Sequence, residues 1–339
     1  MRFTIAIPVR NGENYLREAL ASAVRQTRPA DEIIAVDDAS SDSTAAILKS
    51  PEWKGRVMYF LNEHPTGYAD AVNRVMARST GDFVAVLDHD DLLHPEYLYR
   101  IEQAARRFPD VRHFFSGCFY IDHDGRTTDQ TPPPHSLEPE RFAGKKYAKK
   151  YLRGVVSNKH IHRCPGVTTD RLLFLEKCSY REEAGMIPDD DFFYRIGQFT
   201  DVVGITQPLA SARLHGASLT SSRSLSQQLA RDYLFETQYY KSTGGILEPE
   251  DVGLLHGLAA RFINLSLYEG LLREDDGAVR EAISQRSRCE ELIGTAFGKN
   301  FPAWSSLIWR LARARYTTLA RGYAMAIERA VKIRNIVKK

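Results

Sequence analysis

Two copies of the tripeptide Asp-His-Asp are the residues of this chain best suited to metal chemistry. One occupies residues 88–90 in AVLDHDDLLHPE, directly after an apolar run, and the other occupies residues 122–124 in YIDHDGRT. Alternate residues of an extended chain point the same way, so the two carboxylates of the first copy can face one ion while His89 faces elsewhere. Mg²⁺ and Mn²⁺ prefer oxygen ligands and commonly take one or two carboxylates together with substrate phosphates.

Each copy also has a purely structural interpretation. Residues 88–91 could end a strand and cap the next helix, and the tripeptide by itself does not decide between the two roles. In the second copy Asp124 precedes Gly125, and Asp-Gly is a strong signal for a two-residue hairpin turn. We therefore predict a hairpin tip at residues 122–125, remote from the strand ends, and context must decide the role of the first copy.

The elements that would position the first copy follow from hydrophobic periodicity. Short apolar runs rich in β-branched and aromatic residues predict strands at residues 3–9, 32–37, 56–61 and 82–87. The segments between them have helical spacing, which indicates a parallel sheet with right-handed crossovers. Ligands of such sheets bind beyond the carboxyl ends of the strands, where residues 8–11, 37–40 and 88–91 would lie.

The remaining chain is predicted to contain a hairpin, a long excursion and a helical region. Residues 126–160 are Pro-rich and then basic, which indicates a surface excursion or a mobile loop. From Leu225 onward the pattern is helical. We predict a first domain over residues 1–220, with halves at 1–105 and 106–220, and a helical region over residues 221–339.

Composition excludes several classes of protein. The 339 residues are 43% apolar and 26% charged, which is ordinary for a globular protein. There is no apolar run long enough for a spanning helix, and the opening MRFTIAIPV resembles a strand rather than a signal peptide. The four cysteines form no C-x-x-C pair, which fits a reducing cytoplasm. Phosphate-binding loops are absent as well, since no G-x-G-x-x-G follows the first strand and GTAFGKN departs from the P-loop spacing.

Basic charge is concentrated at the end of the chain. From Ser306 onward, nine Lys or Arg residues stand against the single Glu328. A basic amphipathic helix here could lie on an anionic membrane surface, with Trp304 and Trp309 at the headgroup level. We favour instead a helix packed on the first domain or a contact in a homo-oligomer, because the apolar stripe is not continuous. No nucleic-acid partner is expected, since no recognition fold is evident.

Four motifs in a fixed order provide the context for the first Asp-His-Asp copy. They are IPVRNGENYL at 7–16, VDDASSDST at 36–44, NEHPTGYADAVNRVMARSTGDFVAVLDHDD at 62–91 and HPEYL at 94–98. Together they resemble family 2 glycosyltransferases of the GT-A fold, in which a D-x-D element holds the metal and diphosphate of a nucleotide sugar. The resemblance implies an α/β, Rossmann-like fold with a mostly parallel central sheet flanked by helices, here with a helical C-terminal extension.

The resemblance assigns donor-binding roles to residues of the first half. The backbone of Pro8 and Val9 would line the nucleotide base, and the Asp38 carboxylate would accept the N3–H of uracil. Asp88 would reach the ribose or a metal-bound water, and Asp90 would be the direct ligand of Mn²⁺ or Mg²⁺. The neighbouring Asp37 is expected to stabilise the turn instead.

Two further donor contacts and one departure come from the same motifs. Asn73 and His89 complete the predicted donor site, although His89 could equally be a bystander. The family often has A-R-N where this chain has Val72 before Asn73. One phosphate contact is therefore missing, and another basic residue would have to neutralise the diphosphate.

Two later segments carry the remaining predicted site residues. ARLHGASLT, residues 212–220, resembles the family's R-x-H-x-x-S ending, so His215 would be a metal or diphosphate ligand with Arg213 nearby. The alternative is an ordinary surface histidine. MIPDDDFFYRIG, residues 186–197, resembles the segment with the general base, which the alignment places at Asp189. Asp190 is the alternate, and Asp191 or no base at all stays open, because three adjacent carboxylates blur the register by one.

These residues together predict an inverting, metal-dependent hexosyl- or N-acetylhexosaminyl-transferase. The donor would be a nucleotide-diphosphate sugar, UDP-linked, and the acceptor a hydroxyl of a cell-surface glycan, a lipid-linked sugar or a protein. Such an enzyme would serve polysaccharide or glycoconjugate synthesis in the cytoplasm or at the inner face of the membrane. The alternatives are a catalytically inactive nucleotide-sugar-binding or scaffold protein and a nucleotidyltransferase, although IPVRNGENYL lacks the basic Gly-rich loop of the latter.

Overall fold

A computed structural model describes residues 1–131, 138–157, 159–216, 228–229, 232–233 and 248–293, together with residues 309, 312, 320, 324 and 325. Chain contacts divide the described residues into two compact units. The first draws on residues 1–182 and 188–218, and the second on residues 183–187, 219–244 and 248–339.

The strands of the first unit form one sheet. Among the described residues it contains ten strands: β1 Phe3–Val9, β2 Glu32–Asp37, β3 Met58–Leu61, β4 Phe83–Val86, β5 Leu92–Leu93, β6 His113–Ile121, β7 Thr127–Gln130, β8 Glu140–Phe142, β9 Val167–Asp170 and β10 Val202–Arg213. The strand order is β3-β2-β1-β4-β9-β6-β10-β5, with β7 beside β6 and β8 beside β10.

Helices connect these strands, and two further helices account for most of residues 248–293 in the second unit. In chain order they are α1 Leu16–Val24, α2 Thr44–Leu48, α3 Tyr68–Arg78, α4 Tyr97–Arg107, α5 Gly144–Val156, α6 Arg171–Leu173, α7 Pro188–Ile196, α8 Pro249–Leu272 and α9 Asp276–Ile293. Apolar residues of α1 and α4 share one core with β1 and β4. The helix α3 contacts β1 and β2.

The predicted parallel half of the sheet is confirmed. The strand β1 pairs in parallel with both β2 and β4, and β2 pairs in parallel with β3. Val9 lies opposite Asp37 at the carboxyl ends of β1 and β2, and Ala6 lies opposite Val86 near the end of β4. The loops that follow these three strands therefore open at one edge of the sheet, as the motifs required.

In the second half the sheet is mixed, which corrects the expectation of a mostly parallel arrangement. The strand β9 runs antiparallel to both of its neighbours, β4 and β6. Its buried Thr168 and Thr169 make 2.8 Å hydrogen bonds to Tyr97 and His113, respectively. A strand stabilised by buried hydroxyl groups has no apolar run, so hydrophobic periodicity could not predict it.

The expected excursion at residues 126–160 is also partly wrong. Residues 144–156 form α5, which buries Tyr147, Ala148, Tyr151 and Leu152 while its lysines lie on the other face. Gly144 begins this helix where a Cβ would lie 2.0 Å from the carbonyl oxygen of Gly197, so only glycine fits. The Pro-rich residues 132–137 lie outside the described residues.

The second unit has its own apolar core. Residues of α8 and α9 pack with Trp309, Ala312, Ala320 and Ala324, and the Trp309 indole donates a 3.1 Å hydrogen bond to Asn264. Trp309 is 2% exposed. This burial contradicts its expected place at a membrane headgroup level, while Trp304 lies outside the described residues. Within the described part of the chain, every helix is too short or too polar to cross a bilayer.

Candidate active site

The turn after β2 is built by Asp37. Its carboxylate accepts a 2.9 Å hydrogen bond from the Ser40 amide and a second bond from the Ser40 hydroxyl. The Asp38 amide in turn donates to the Val9 carbonyl at 2.8 Å, which holds the ends of β1 and β2 together. Asp37 thus has the turn-stabilising role expected for it. The donor contacts of Pro8 and Val9, which are the last two residues of β1, stay predictions.

Asp38 is the anchor of the loop that precedes α3. Its carboxylate accepts hydrogen bonds from the Asn62 amide group, the Thr66 amide and hydroxyl, and the Gly67 amide, at 2.8–3.0 Å. Burial opposes ionisation, but these bonds outweigh it and lower the pKa of Asp38 below its ordinary value. Asp38 is therefore a fixed, ionised acceptor. Its predicted bond to a base would have to share these oxygens with the loop.

Asp88 is held in a buried hydrogen-bonded group beyond the end of β4. The Tyr68 hydroxyl donates to both Asp88 oxygens at 3.1 and 3.2 Å, and it also lies 3.4 Å from the Cys164 sulfur. Burial, together with the charges of Asp90 and Asp189 and against the Tyr68 bond, raises the pKa of Asp88 to about 7. The influence of Asp189 on Asp88 is consistent with two carboxylates in one site.

Asp90 points toward the end of β10. Its Oδ2 atom lies 3.0 Å from Nε2 of His215, and the His215 ring packs against that of Tyr15 with 4.8 Å between their centres and an angle of 51°. The structure therefore brings together the two residues predicted as metal ligands. His89 faces elsewhere and lies against Val9 and Gly12, where a Cβ on the glycine would meet the imidazole at 2.8 Å. The predicted donor contact of His89 stays open.

Arg213 is a buried clamp. Its Nε donates to the Asp90 carbonyl at 2.9 Å, Nη1 donates to the carbonyls of Asp122 and His123 at 3.2 Å, and Nη2 donates to Glu18 at 2.8 Å. The side chain is 1% exposed. These bonds engage every guanidinium nitrogen, which favours a positioning role over the predicted contact with the donor. They also correct the expectation that the second Asp-His-Asp copy is remote, because one guanidinium joins it to the first.

The three adjacent aspartates at the start of α7 have different surroundings. Asp191 is fully buried in an ion pair with Arg181 and Arg195, which makes it a structural residue. Asp190 is 7% exposed and accepts a 2.7 Å hydrogen bond from the Tyr151 hydroxyl. Asp189 is half-buried. Burial and the charge of Asp190, opposed by Arg163, raise the pKa of Asp189 to about 7.

Arg163 is the basic residue that sequence reasoning missed. It precedes a 3₁₀ turn at Cys164–Gly166 and is half-buried. Burial disfavours its charge, but the rings of Tyr120 and Tyr151 and the carboxylates of Asp189 and Asp190 raise the pKa of Arg163 above its ordinary value. No motif surrounds it in HIHRCPG, so spacing carried no signal for it.

The residues beyond β4 fit a divalent cation. Burial, followed by the charges of Asp90 and Asp88, raises the pKa of Asp91 well above its ordinary range, so three carboxylates crowd one another here. A cation would relieve this repulsion, and carboxylate oxygens with an imidazole nitrogen suit Mn²⁺ or Mg²⁺. Coordination by Asp90 and His215 stays a prediction.

Comparison with known proteins points to one family. Residues 4–160 match the family model described as glycosyl transferase family 2. This matched segment, slightly less than half of the chain, resembles glycosyltransferase family 2. An uncharacterized glycosyltransferase of Rickettsia typhi is 28% identical over 222 residues, which is 65% of this chain and 66% of that protein. The putative glycosyltransferase EpsH of Bacillus subtilis is 26% identical over 64% of this chain and 62% of its own length. The chain thus spans slightly less than two thirds of the length of each of these relatives.

Solved structures identify the fold of this protein. Crystal structures of S. aureus TarS 1-349, in complex with UDP-GlcNAc and with UDP, superpose with TM-scores of 0.61 and 0.56 at 17% and 18% identity. Each comparison covers 97% of this chain and 92% of the TarS chain. At this identity the likeness concerns the fold, which is GT-A, as predicted.

The departure at Val72 from the family 2 pattern has a structural counterpart. Val72 is fully buried in the face of α3 that meets the sheet. The adjacent Asn73 pairs with the backbone of Tyr180, donating to its carbonyl and accepting from its amide at 2.9 Å each. Asn73 therefore ties α3 to the segment before α7, and its predicted donor contact stays a prediction.

The second Asp-His-Asp copy forms the predicted hairpin tip. The ligand atoms of Asp122, His123 and Asp124 lie within 4.8 Å of one another, a spacing that a metal could also use. However, Asp122 Oδ1 accepts from the amides of Asp124 and Arg126 at 2.9 Å, and Asp124 pairs with the Arg126 guanidinium at 2.7 Å. Oxygens engaged in an exposed turn in this way are weak ligands, so the first copy stays the predicted metal site.

Replacing Asp122 and Asp124 together by alanine should leave sugar transfer within about twofold of wild type. The side chains shape only the turn, and loss of such local bonds costs roughly 1 kcal/mol of folding free energy. Arg213 contacts backbone carbonyls at this tip, which the substitutions keep. Steady-state transfer rates with and without Mn²⁺ measure the effect. A loss as large as that of Asp90→Ala would mean that the metal belongs to the second copy.

Proposed function

We propose that this protein transfers a sugar, with inversion of the anomeric configuration, from a UDP-linked donor to an acceptor hydroxyl. The observation that carries the proposal is the meeting of Asp88, Asp90 and His215 with Asp189 at one edge of the sheet. The first three residues form a donor and metal site, and Asp189 is a carboxylate whose pKa of about 7 suits a general base at neutral pH.

Each residue of the site would perform a separate task. Asp38 and the ends of β1 and β2 would bind the base, and Asp88 would bind the ribose side of the donor. Asp90 and His215 would hold Mn²⁺ or Mg²⁺, which would stabilise the leaving diphosphate. Asp189 would take the proton from the acceptor hydroxyl as that oxygen attacks the anomeric carbon. Asp190 is the alternate base, although its bond to Tyr151 makes it less available.

The donor and acceptor classes are part of the proposal. The TarS structure holds UDP-GlcNAc, which supports UDP-linked N-acetylhexosamines as the first donors to test, followed by UDP-hexoses. The acceptor would be a cell-surface glycan, a lipid-linked sugar or a protein. Tyr151 of α5 bonds to Asp190 of α7 beside Asp189, so residues of these two helices would shape acceptor binding.

Thermal stabilisation tests the proposed donor. The full chain would be mixed with UDP-GlcNAc, UDP-glucose, UDP, GDP-mannose or ATP, each with and without Mn²⁺. Ligand at a hundred times its Kd stabilises the folded state by about 2.7 kcal/mol, which a melting curve resolves easily. Stabilisation by UDP compounds that requires Mn²⁺ supports the proposal. Equal or absent responses across the whole panel would contradict it.

A further inference from the structure

The guanidinium of Arg163 is a half-buried cation whose charge is favoured by two nearby carboxylates. Among the described residues, neither a hydrogen bond nor an ion pair engages its N–H groups. By contrast, Arg181, Arg195 and Arg213 nearby are all bonded to carboxylates. The carboxylates of Asp189 and Asp190 favour the charge of Arg163 without bonding to it, so its N–H groups keep a capacity to donate hydrogen bonds that an oxygen of a ligand could accept.

The backbone of Arg163 is fixed from both sides. His162, which is fully buried, shares a 2.8 Å hydrogen bond with Tyr147 and stacks at 4.9 Å on the Tyr151 ring. Cys164 contacts the Tyr68 hydroxyl at 3.4 Å. Because Tyr151 binds Asp190 and Tyr68 binds Asp88, Arg163 stands between the base side and the donor side of the site. Its position is therefore set by the same side chains that hold the two carboxylate groups.

The turn after Arg163 cannot move away from this place. The Gly166 amide donates to the Arg163 carbonyl at 3.2 Å, and a Cβ on Gly166 would lie 3.0 Å from the carbonyl oxygen and the hydroxyl of Ser116 in β6. The turn is thus pressed against the sheet. A long side chain that leaves a fixed backbone beside the base is well placed to meet a bound substrate.

We propose that Arg163 binds an anionic oxygen, of a phosphate or carboxylate group, on a substrate held in this site. The inference rests on the proposed function, since it takes the site to bind a nucleotide sugar and an acceptor. Guanidinium groups bind such oxygens in a bidentate manner, and these charge-assisted bonds are among the strongest in proteins. This chain has Val72 where the family pattern often has an arginine, so that motif supplies no guanidinium to bind an anionic oxygen.

Two substrates could supply the anionic oxygen. One is the diphosphate of the donor, and the other is an acidic group on the acceptor. The groups that favour the charge of Arg163 are Tyr120, Tyr151, Asp189 and Asp190, which all follow α4 in the chain. This location favours the acceptor, and the experiment separates the two sources.

Binding of UDP–Mn²⁺ and of inorganic phosphate tests the proposal. Melting curves and calorimetry would compare wild type with Arg163→Gln, Arg163→Lys and, as a matched control, Arg153→Gln, which removes an exposed guanidinium from α5. Phosphate would be titrated alone and in the presence of saturating UDP–Mn²⁺. Loss of a charge-assisted bond should weaken the affected ligand in Arg163→Gln by roughly tenfold to a hundredfold. Arg163→Lys should recover part of the affinity, and Arg153→Gln should match wild type.

The two sources give different results. If the acceptor carries the anion, Arg163→Gln keeps wild-type affinity for UDP–Mn²⁺. The variant then loses affinity for phosphate that is titrated in the presence of saturating UDP–Mn²⁺. If the donor carries it, UDP–Mn²⁺ itself binds more weakly. The proposal would be overturned if Arg163→Gln bound both UDP–Mn²⁺ and phosphate as well as wild type does. It would also be overturned if UDP–Mn²⁺ binding were unchanged and no variant bound phosphate. Failure of wild type to bind UDP–Mn²⁺ would count against the proposed function instead, and the arm with phosphate alone would still test Arg163.

Discussion

Asp189→Asn should reduce sugar transfer by roughly 10²–10⁴-fold while UDP–Mn²⁺ still binds, because a general base accelerates the reaction by about that factor. The asparagine keeps the size and the hydrogen-bonding oxygen of the side chain but cannot accept the proton. Wild-type activity should rise with pH through about 7, where Asp189 ionises, and the variant should lose this limb. Initial rates from about pH 5.5 to about pH 8.5 and UDP titrations measure both effects.

The same substitution should raise the stability of the protein without ligands. The pKa of Asp189 is higher in the folded protein than the ordinary 3.8, so wild type loses folding free energy as pH rises from about 4 to about 7. The asparagine side chain does not titrate, and at about pH 8 the variant should be more stable by on the order of a few kcal/mol. At about pH 4 the difference should vanish. Lost activity with a raised melting temperature cannot come from misfolding.

Asp191→Asn is the matched control for this experiment. It makes the same chemical change two residues away, but it removes the charge that Arg181 and Arg195 share. Breaking a buried ion pair of this kind costs about 3–5 kcal/mol, so this variant should melt earlier. If Asp189→Asn keeps wild-type turnover and Asp190→Asn loses it, the base is Asp190.

Asp90→Ala should abolish the Mn²⁺-dependent part of UDP binding. Direct metal ligands matter more than the outer-shell partners, whose loss costs about 10–100-fold in metal affinity, so we expect a loss of at least about a hundredfold. His215→Ala should have a smaller effect in the same direction, since one carboxylate ligand remains. Removing a charge beside Asp88 and Asp91 should not destabilise the fold, because both have raised pKa values.

Titration of UDP with and without Mn²⁺ measures this effect. EDTA on wild type should mimic Asp90→Ala, and adding Mn²⁺ back should restore only wild type. Asp122→Ala serves as the control, because it removes a carboxylate of the other Asp-His-Asp copy. Manganese dependence that survives in Asp90→Ala would show that the ion is held by other residues.

The first half of the predicted domain, residues 1–105, could be predicted from sequence because its signals are local. The strands β1 and β2 were predicted with the bounds that the structure has, since each is a continuous apolar run between turn residues. The ends of those strands carry motif residues, so their meeting at one edge follows from parallel topology alone. Asp90 and His215 are 125 residues apart, and only the family motif connected them before the fold was known.

The second half, residues 106–220, was harder to predict because its interactions are between side chains from distant segments. Arg163 acquires its role from neighbours such as Tyr151 and Asp189, and nothing in its own sequence surroundings announces this. The spacing of Asp191 and Arg195, by contrast, is that of an ion pair on one helix face and could have identified Asp191 as structural. Where a role depends on a partner four residues away, sequence reveals it, and where the partner is on another element, sequence does not.

The contacts of Arg213 can form only at a late stage of translation. Glu18 and Asp90 leave the ribosome long before residue 213, and the family model ends at residue 160. The backbone beyond β4 therefore has no guanidinium to hold it until β10 has been synthesised and has joined the sheet beside β6. A nascent chain that contains only residues 1–160 lacks this contact, so we expect the proposed binding of a nucleotide sugar to appear only after β10 has joined the sheet.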